Sequence, residues 1–429
     1  MSIKTRRFLF YSFLALFVIL GTLIILYSRG LTIDFKNLSI NRSGGVYIVS
    51  TPNEVSIALD GVQKADKSGL LQRGTLITGL APDTYSLRLE KEGYLPWYKN
   101  FEVKSGEVSV FDTVVMLKDS ELSLLRSGQF TNFDARSGNL ALEEGGGIKL
   151  NDSQVLGHRI VSLTERGSLL TKSDRTGNYY ITNTFDPEDG LNLSLVFNNL
   201  KENVLELPGY IQIKEAYPLP SDDKRFFVST DRALYLLDMN NRTTLQLITS
   251  EYEYATLEDD FFIWSDGLAV YSFNAVFGNK SKLISFEEKK HVSKISKTRL
   301  GWMIISGGEL TLYEENGKMK SLGIVTDFYV SSGDDRIAIL DSSRNLKVID
   351  LITQKTYENL GRSVENVIWY KDGAHLFVLE GGNLYFRDIA KGESVSSYQL
   401  SEGVQKLVYS DKEGKIYILK DNGVWELIL

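Results

Sequence analysis

The stretch IWYKDGAHLFVLEGGNLYFRDI, Ile368–Ile389, gathers groups that could do chemistry: Asp372, His375, Glu380 and Asp388 around glycine turns. A carboxylate close to an imidazole can orient it for acid–base work. The rest of the chain offers this pair little help. The other two histidines, His158 and His291, stand singly, and there is no cysteine, which removes thiol catalysis, disulfides and thiolate metal sites. No Gly-x-Ser-x-Gly elbow, Walker loop, His-Glu-x-x-His pair or EF-hand loop occurs. Asp259–Asp260 and Asp334–Asp335 could hold calcium weakly, but they read better as solvated turns. No catalytic, cofactor-binding or metal-ligating residue is assigned.

The elements around Asp372 decide how it reads. A hairpin of four apolar or aromatic residues, a short Gly/Asp/Ser/Asn turn and an alternating strand starts at Leu140, Tyr179, Phe226, Phe261, Trp302, Ile337, Leu376 and Ile416. The spacings are 39, 47, 35, 41, 35, 39 and 40 residues, eight copies of one unit. A further strand and a polar turn precede most copies, and a loose outer strand follows. Four antiparallel strands per unit, repeated radially, predict a β-propeller over 119–429. The last unit ends after three strands, and Glu121–Arg126, ELSLLR, can supply the fourth. The ring then has eight blades, or seven if the irregular Arg159–Leu207 unit is an insertion. On this reading Asp372 closes a turn and His375 is a strand residue of one blade.

WYKDGAHLFVL, with Trp369, Asp372–Gly373 and the run from Leu376, and YSDKEGKIYIL, with Ser410, Asp411 and Gly414, resemble the repeat of TolB-like and WD-repeat-like propellers. In the first, Tyr370–Lys371 replaces the family's Ser-Pro. Ser173–Tyr180, SDRTGNYY, resembles the Asp box of sialidase propellers, but Asp174 comes one place early and the tryptophan is missing.

Before the propeller, residues 45–118 carry six or seven short alternating strands, which predict a small β-sandwich. Ser50 and Pro52, Asp60–Gly61, Gly79–Leu80, Pro82, Tyr85 and Gly93–Tyr94 follow in the order of the PEGA domain, which this segment resembles. The segment departs from the pattern at Asp83–Thr84, where the family usually has glycine, and in a long link after Asp60–Gly61. The resemblance implies an envelope adhesion-type module and no catalyst. Tyr94, Trp97 and Tyr98 could stack on sugar rings, although large aromatics of small sandwiches commonly pack between the sheets.

The N-terminus supplies an address. Phe8–Tyr27 holds no charge and has the length of a membrane span. Lys4, Arg6 and Arg7 precede it and only Arg29 follows closely, which keeps residues 1–7 cytoplasmic. LYSRG is a poor signal-peptidase site, so the helix is expected to stay as an anchor with 28–44 as a stalk. Without Met1–Gly30, with its four basic residues, the chain has 44 basic against 55 acidic groups, which disfavours nucleic acid as a partner.

The expectation is a mainly β, single-pass protein of the bacterial cell envelope. Its propeller would bind an envelope protein or cell-wall glycan, without cofactor or enzymatic activity. The alternatives are a structural spacer or assembly scaffold and, behind both, a glycan-active propeller enzyme.

Overall fold

The computed structural model describes residues 3–28, 31–34, 39–69, 73–205, 209–231, 233–248, 252–389 and 397–429. The chain forms two compact units, residues 1–120 and, in the main, 121–429.

The first unit opens with helix α1, Ile3–Ser28. Among the described residues no helix is long and apolar enough to cross a membrane. A hairpin of β1, Leu31–Asp34, and β2, Ser39–Arg42, occupies the expected stalk; its remaining positions, Arg29, Gly30 and 35–38, lie outside the described residues.

The sandwich has seven strands: β3 Gly44–Thr51, β4 Ser56–Leu59, β5 Val62–Lys64, β6 Thr75–Leu80, β7 Thr84–Glu90, β8 Trp97–Glu102 and β9 Val108–Val115. They form the sheets β6-β3-β9 and β5-β4-β7-β8. Alternation sends Val46, Ile48, Ile57, Leu87, Leu89, Trp97, Phe101 and Phe111 into the core. Asp60 and Gly61, at φ 48° and 77°, make the two-residue turn between β4 and β5. Both positions are left-handed, as the hairpin turn that matches strand twist requires. Neither Asp83 nor Thr84 is left-handed, so the family's glycine is dispensable there. The long link is organised by Asp66, whose carboxylate accepts the N–H of Val55 at 2.9 Å and of Ser68 at 2.8 Å, and the Thr75 hydroxyl. Residues 70–72 of that link lie outside the described residues.

The second unit is eight four-stranded antiparallel sheets. Blades 1 to 8 cover residues 132–155, 159–192, 215–248, 254–285, 292–324, 327–361, 364–401 and 404–428. In each, strand A comes first and D last; blade 8 takes its fourth strand from β10, Ser123–Ser127, which pairs antiparallel with the final strand Gly423–Ile428. Successive blades share cores: Ala141 and Ile148 meet Leu163 and Leu169 between blades 1 and 2, and Phe227 meets Phe262 between blades 3 and 4. The ring closes where Phe133, Ala135 and Leu142 of blade 1 pack with Tyr417, Leu419 and Val424 of blade 8. This is the closure by Glu121–Arg126 that the sequence predicts. Residues 394–396 of the expected outer strand in blade 7 lie outside the described residues.

Blade 2 corrects one expected hairpin. Tyr179 begins strand C, Tyr179–Asn183, while strand B is Ser168–Lys172. The long turn SDRTGN hides the true B–C pair, so the sequence pattern is read one strand late. The irregular spacing comes from helix α2, Leu193–Leu205, inserted after strand D. Asn192 caps it by accepting the Leu195 N–H at 3.0 Å, and its apolar side, including Leu193 and Phe197, packs against Tyr235 of blade 3. Blade 2 is thus a full blade, and the ring has eight.

Candidate functional site

Asp372, singled out in the sequence, holds a turn. Asp372 accepts the N–H of Ala374 at 2.8 Å and of His375 at 3.1 Å, and its second oxygen lies 2.7 Å from His375 Nδ1. The His375 ring is buried and stacks on Phe386 with centroids 4.9 Å apart. The Asp–His bond that suggested acid–base chemistry is therefore real, and it locks a turn to a packed strand. The aspartates that end C strands do similar work. Asp350 accepts the Thr353 N–H at 2.7 Å and pairs with Arg336 at 3.3 Å; Asp238 accepts the Asn241 N–H at 2.9 Å and pairs with Arg225 at 3.4 Å. In SDRTGNYY, Asp174 pairs with Arg159 at 2.7 Å. Among the described residues no three acids or histidines are grouped to hold a metal ion.

Up-and-down topology puts the A–B and C–D turns on one face of the ring and the B–C turns and D–A links on the other. At the A–B mouth every seam between blades is bridged. Ser137 Oγ donates to Glu165 at 2.8 Å, Ser168 Oγ to Asp223, and the Ser221 N–H to Asp260 at 3.2 Å. The Lys297 N–H donates to Glu258 at 2.7 Å, the Arg299 N–H to the Asp334 carbonyl at 2.8 Å, and Ser332 Oγ to the Lys371 carbonyl at 2.9 Å. Lys371 pairs with Asp411 at 3.9 Å, and the Gly138 N–H donates to Glu413 at 2.7 Å. Lys412 then reaches from blade 8 past blade 1 to Glu165 of blade 2, at 3.1 Å. Burial pushes the Glu258 carboxyl up, Ser296 and Lys297 counter it, and Asp259 and Asp334 add to the rise. Its oxygens accept from Ser296 and Lys297 of the next blade, so it acts as a staple.

The opposite mouth is built differently. Across blades 2 to 4, Tyr179, Tyr217, Tyr252 and Tyr254 surround exposed Glu215. The Tyr217 hydroxyl donates to Glu215. Tyr179 donates to the Lys214 carbonyl at 2.7 Å and Tyr252 to the Thr230 carbonyl at 2.7 Å, which fixes both rings. Two ammonium groups lie over these rings, Lys172 at 4.9 Å from Tyr179 and Lys214 at 5.8 Å from Tyr252. Burial, with the Glu215 charge, raises the Tyr179 phenol to about 12. No single local sequence pattern marks this group, because its members sit in three different blades. The signal that could have found it is the run of tyrosines at strand starts, EAYP and EYEYAT, in successive repeats.

In the sandwich the three candidate stacking residues separate. Trp97 is 0% exposed and meets Phe111 edge-on at 5.9 Å, so it offers no face to a sugar. Tyr98, its strand neighbour, points outward at 50% exposure, and Tyr94 is half-buried. Adjacent strand residues face opposite sides, so the expected platform cannot include both Trp97 and Tyr98.

Residues 43–116 match the family model of the PEGA domain. The PEGA match thus covers the sandwich and stops before the propeller. No curated protein matches the chain. Among solved structures, the computationally designed Ika8 protein is similar over 72% of this chain and 98% of its own, at 13% identity and a TM-score of 0.47. The C-terminal WD40 domain of Sif2 covers 72% of this chain and 97% of its own at 10% identity and 0.46. BamB from Moraxella catarrhalis covers 71% and 98% at 11% identity and 0.45. These scores carry no functional argument, and the propeller rests on the strand pairings above. A PEGA-matching domain joined to a propeller suggests an interaction or scaffold role.

Proposed function

We propose that the chain is a membrane-anchored, extracytoplasmic binding protein of the bacterial cell envelope, and that its propeller presents the B–C/D–A mouth to an envelope protein or cell-wall glycan. The observation that carries this reading is the tyrosine cluster at the B–C/D–A mouth of blades 2 to 4. There half-buried Tyr217, Tyr252 and Tyr254, backed by the buried Tyr179, stand around exposed Glu215, and hydrogen bonds hold Tyr179 and Tyr252 in place. Aromatic faces beside a hydrogen-bonding acid suit both sugar rings and peptide side chains. The anchor is supported by the charge-free run Phe8–Tyr27 behind Lys4, Arg6 and Arg7, and by the exposure of the Phe8–Leu20 side chains on α1. The reading is non-catalytic. Glu258, whose carboxyl is raised by burial and by neighbouring acids, already has its oxygens engaged by the adjacent blade.

Co-sedimentation of the detergent-solubilised full chain with purified cell-wall polysaccharide tests the binding surface. Binding that Tyr252→Ala abolishes and Tyr98→Ala spares supports a glycan at the mouth. Binding that only Tyr98→Ala abolishes moves the site to the sandwich and contradicts the reading.

A second reading, an assembly scaffold, is favoured by apolar tips on C–D turns: Phe185 is 90% exposed and Phe277 81%. Asn183 and Asn274 hold these turns by accepting the N–H of Phe185 and Phe277 at 2.8 and 3.0 Å. Oligomers in light scattering that Phe185→Ser with Phe277→Ser disperses would favour it.

A further inference from the structure

Blade 6 breaks the repeat at its outer edge. In blades 3, 4 and 5, strand D carries one extra residue opposite the start of strand C. In blade 6 the pairing jumps from Leu346↔Gly361 to Val348↔Tyr357, so three residues, Glu358, Asn359 and Leu360, face Lys347 alone. That is two extra residues. Asn359 turns into the left-handed region at φ 58°, and buried Leu360 pins the excursion to the core.

A cleft of about 560 Å³ opens there, lined by Asp341, Asn345, Lys347, Glu358, Asn359 and Arg362 over Leu346 and Gly361. Its walls are fixed. The B–C turn holds Asp341, whose carboxylate accepts the Ser343 and Asn345 N–H groups at 2.8 Å each and the Asn345 amide at 2.9 Å. Arg344, in that turn, donates to the Glu365 carbonyl of blade 7 at 2.8 Å, and its own carbonyl accepts the Val364 N–H at 3.0 Å. By contrast, the side chains of Lys347, Glu358, Asn359 and Arg362 make no hydrogen bond or ion pair with another described residue. Two cations, two carboxylates and an amide thus converge on one preformed cleft; the Asn345 and Ser343 hydrogen bonds and then the Lys347 charge hold the Asp341 carboxyl low, while Glu358 and Arg362 make no ion pair there.

We propose that this cleft binds a small zwitterion, a ligand with a carboxylate and an ammonium group a few bonds apart, for which the two ends of a dipeptide are the prototype. The carboxylate meets Lys347 and Arg362, and the ammonium meets Glu358 and the remaining acceptor capacity of Asp341. A purely anionic ligand would face both acids and a purely cationic one both bases, and a neutral sugar would leave all four charges unmatched. The volume lies within the roughly 300–1,000 Å³ of small-molecule sites. The site is on blade 6 and does not depend on the mouth tyrosines of blades 2 to 4.

Calorimetric titration of the full chain in detergent with alanyl-alanine tests it, beside N-acetyl-alanyl-alanine, which lacks the ammonium, and alanyl-alanine amide, which lacks the carboxylate. The expected result is saturable binding of the free dipeptide and about tenfold or greater weakening for each blocked form, a step of ~1.4 kcal/mol. Arg362→Met and Lys347→Met weaken the free dipeptide by a similar factor, and Glu358→Gln weakens it without affecting the N-acetyl form. These residues are surface groups, and unchanged melting temperatures show that the fold is intact. Absence of saturable binding, equal affinity for free and blocked forms, or wild-type affinity in all three variants overturns the proposal.

Discussion

The ammonium of Lys406, on the inner strand of the last blade, donates to the backbone carbonyl of Phe133 on the first at 2.7 Å, and to Asn132 Oδ1 at 2.6 Å. Lys294 of blade 5 makes the same pair of bonds to Phe328 and Asp327 of blade 6, both at 2.7 Å. The motif is legible in pairs: VSKI with TDFYV, and VQKL with TNFDA. One of these staples lies at the ring's closure, beside the pairing of β10 with the last strand.

Lys406→Ala should therefore destabilise the propeller by about 1–3 kcal/mol, because it takes a charged donor from two part-buried acceptors of blade 1. Lys406→Ala combined with Asn132→Ala should cost less than the sum of the two single changes. Denaturant unfolding of the four proteins measures the coupling, and strict additivity would contradict a direct bond.

A second prediction concerns the seam itself. A Cβ at Gly423 would stand 2.7 Å from both the Arg126 carbonyl oxygen and Leu124 Cδ1 of β10. Gly423→Ala should push β10 off the last blade and speed proteolysis after residue 120, by roughly 1–3 kcal/mol of lost stability. Unchanged protease resistance would show that β10 does not hold the ring shut.

Trp97 and Tyr98 provide a contrast within one strand. Trp97→Ala empties a core position and should cost about 3–5 kcal/mol, whereas Tyr98→Ala should stay within about 0.5 kcal/mol. Thermal melts of the two variants check it, and comparable losses would mean that Tyr98 is not a surface residue.

The pH response of the turns can be worked out for Asp350. Burial alone would raise its carboxyl, but hydrogen bonds from the Thr353 backbone and side chain and the Arg336 guanidinium together hold it below 3.8. A lowered folded value means that the unfolded chain binds the proton more readily. The stabilisation is present above pH 3.8 and is lost as pH falls through the lower folded value. Asp350→Asn should remove that part of the acid slope, and equal slopes for both proteins between pH 2 and 4 would contradict it.

Much of the architecture was legible because a propeller writes itself locally: strand, turn and strand recur within 35 to 41 residues in most copies. Gly381–Gly382, at φ 57° and 73°, and Asp60–Gly61 are turn signals whose chemistry is contained in two residues. Blade 2 was misread because its B–C connection is long and α2 is inserted, neither of which follows the period. The sites were less legible. The tyrosines around Glu215 come from blades 2, 3 and 4, and the blade 6 cleft depends on a pairing register that no local pattern encodes. Trp97 and Tyr98 looked like one cluster because sequence adjacency conceals the two-residue alternation of a strand.

The most direct test of the anchored-platform account is alkaline carbonate extraction of membranes carrying the full chain, followed by protease added from the non-cytoplasmic side. The account predicts that the chain stays in the pellet, that removing residues 3–28 releases it, and that the external protease reaches the propeller. Release of the intact chain by carbonate, or a propeller protected until the membrane is dissolved, would contradict it.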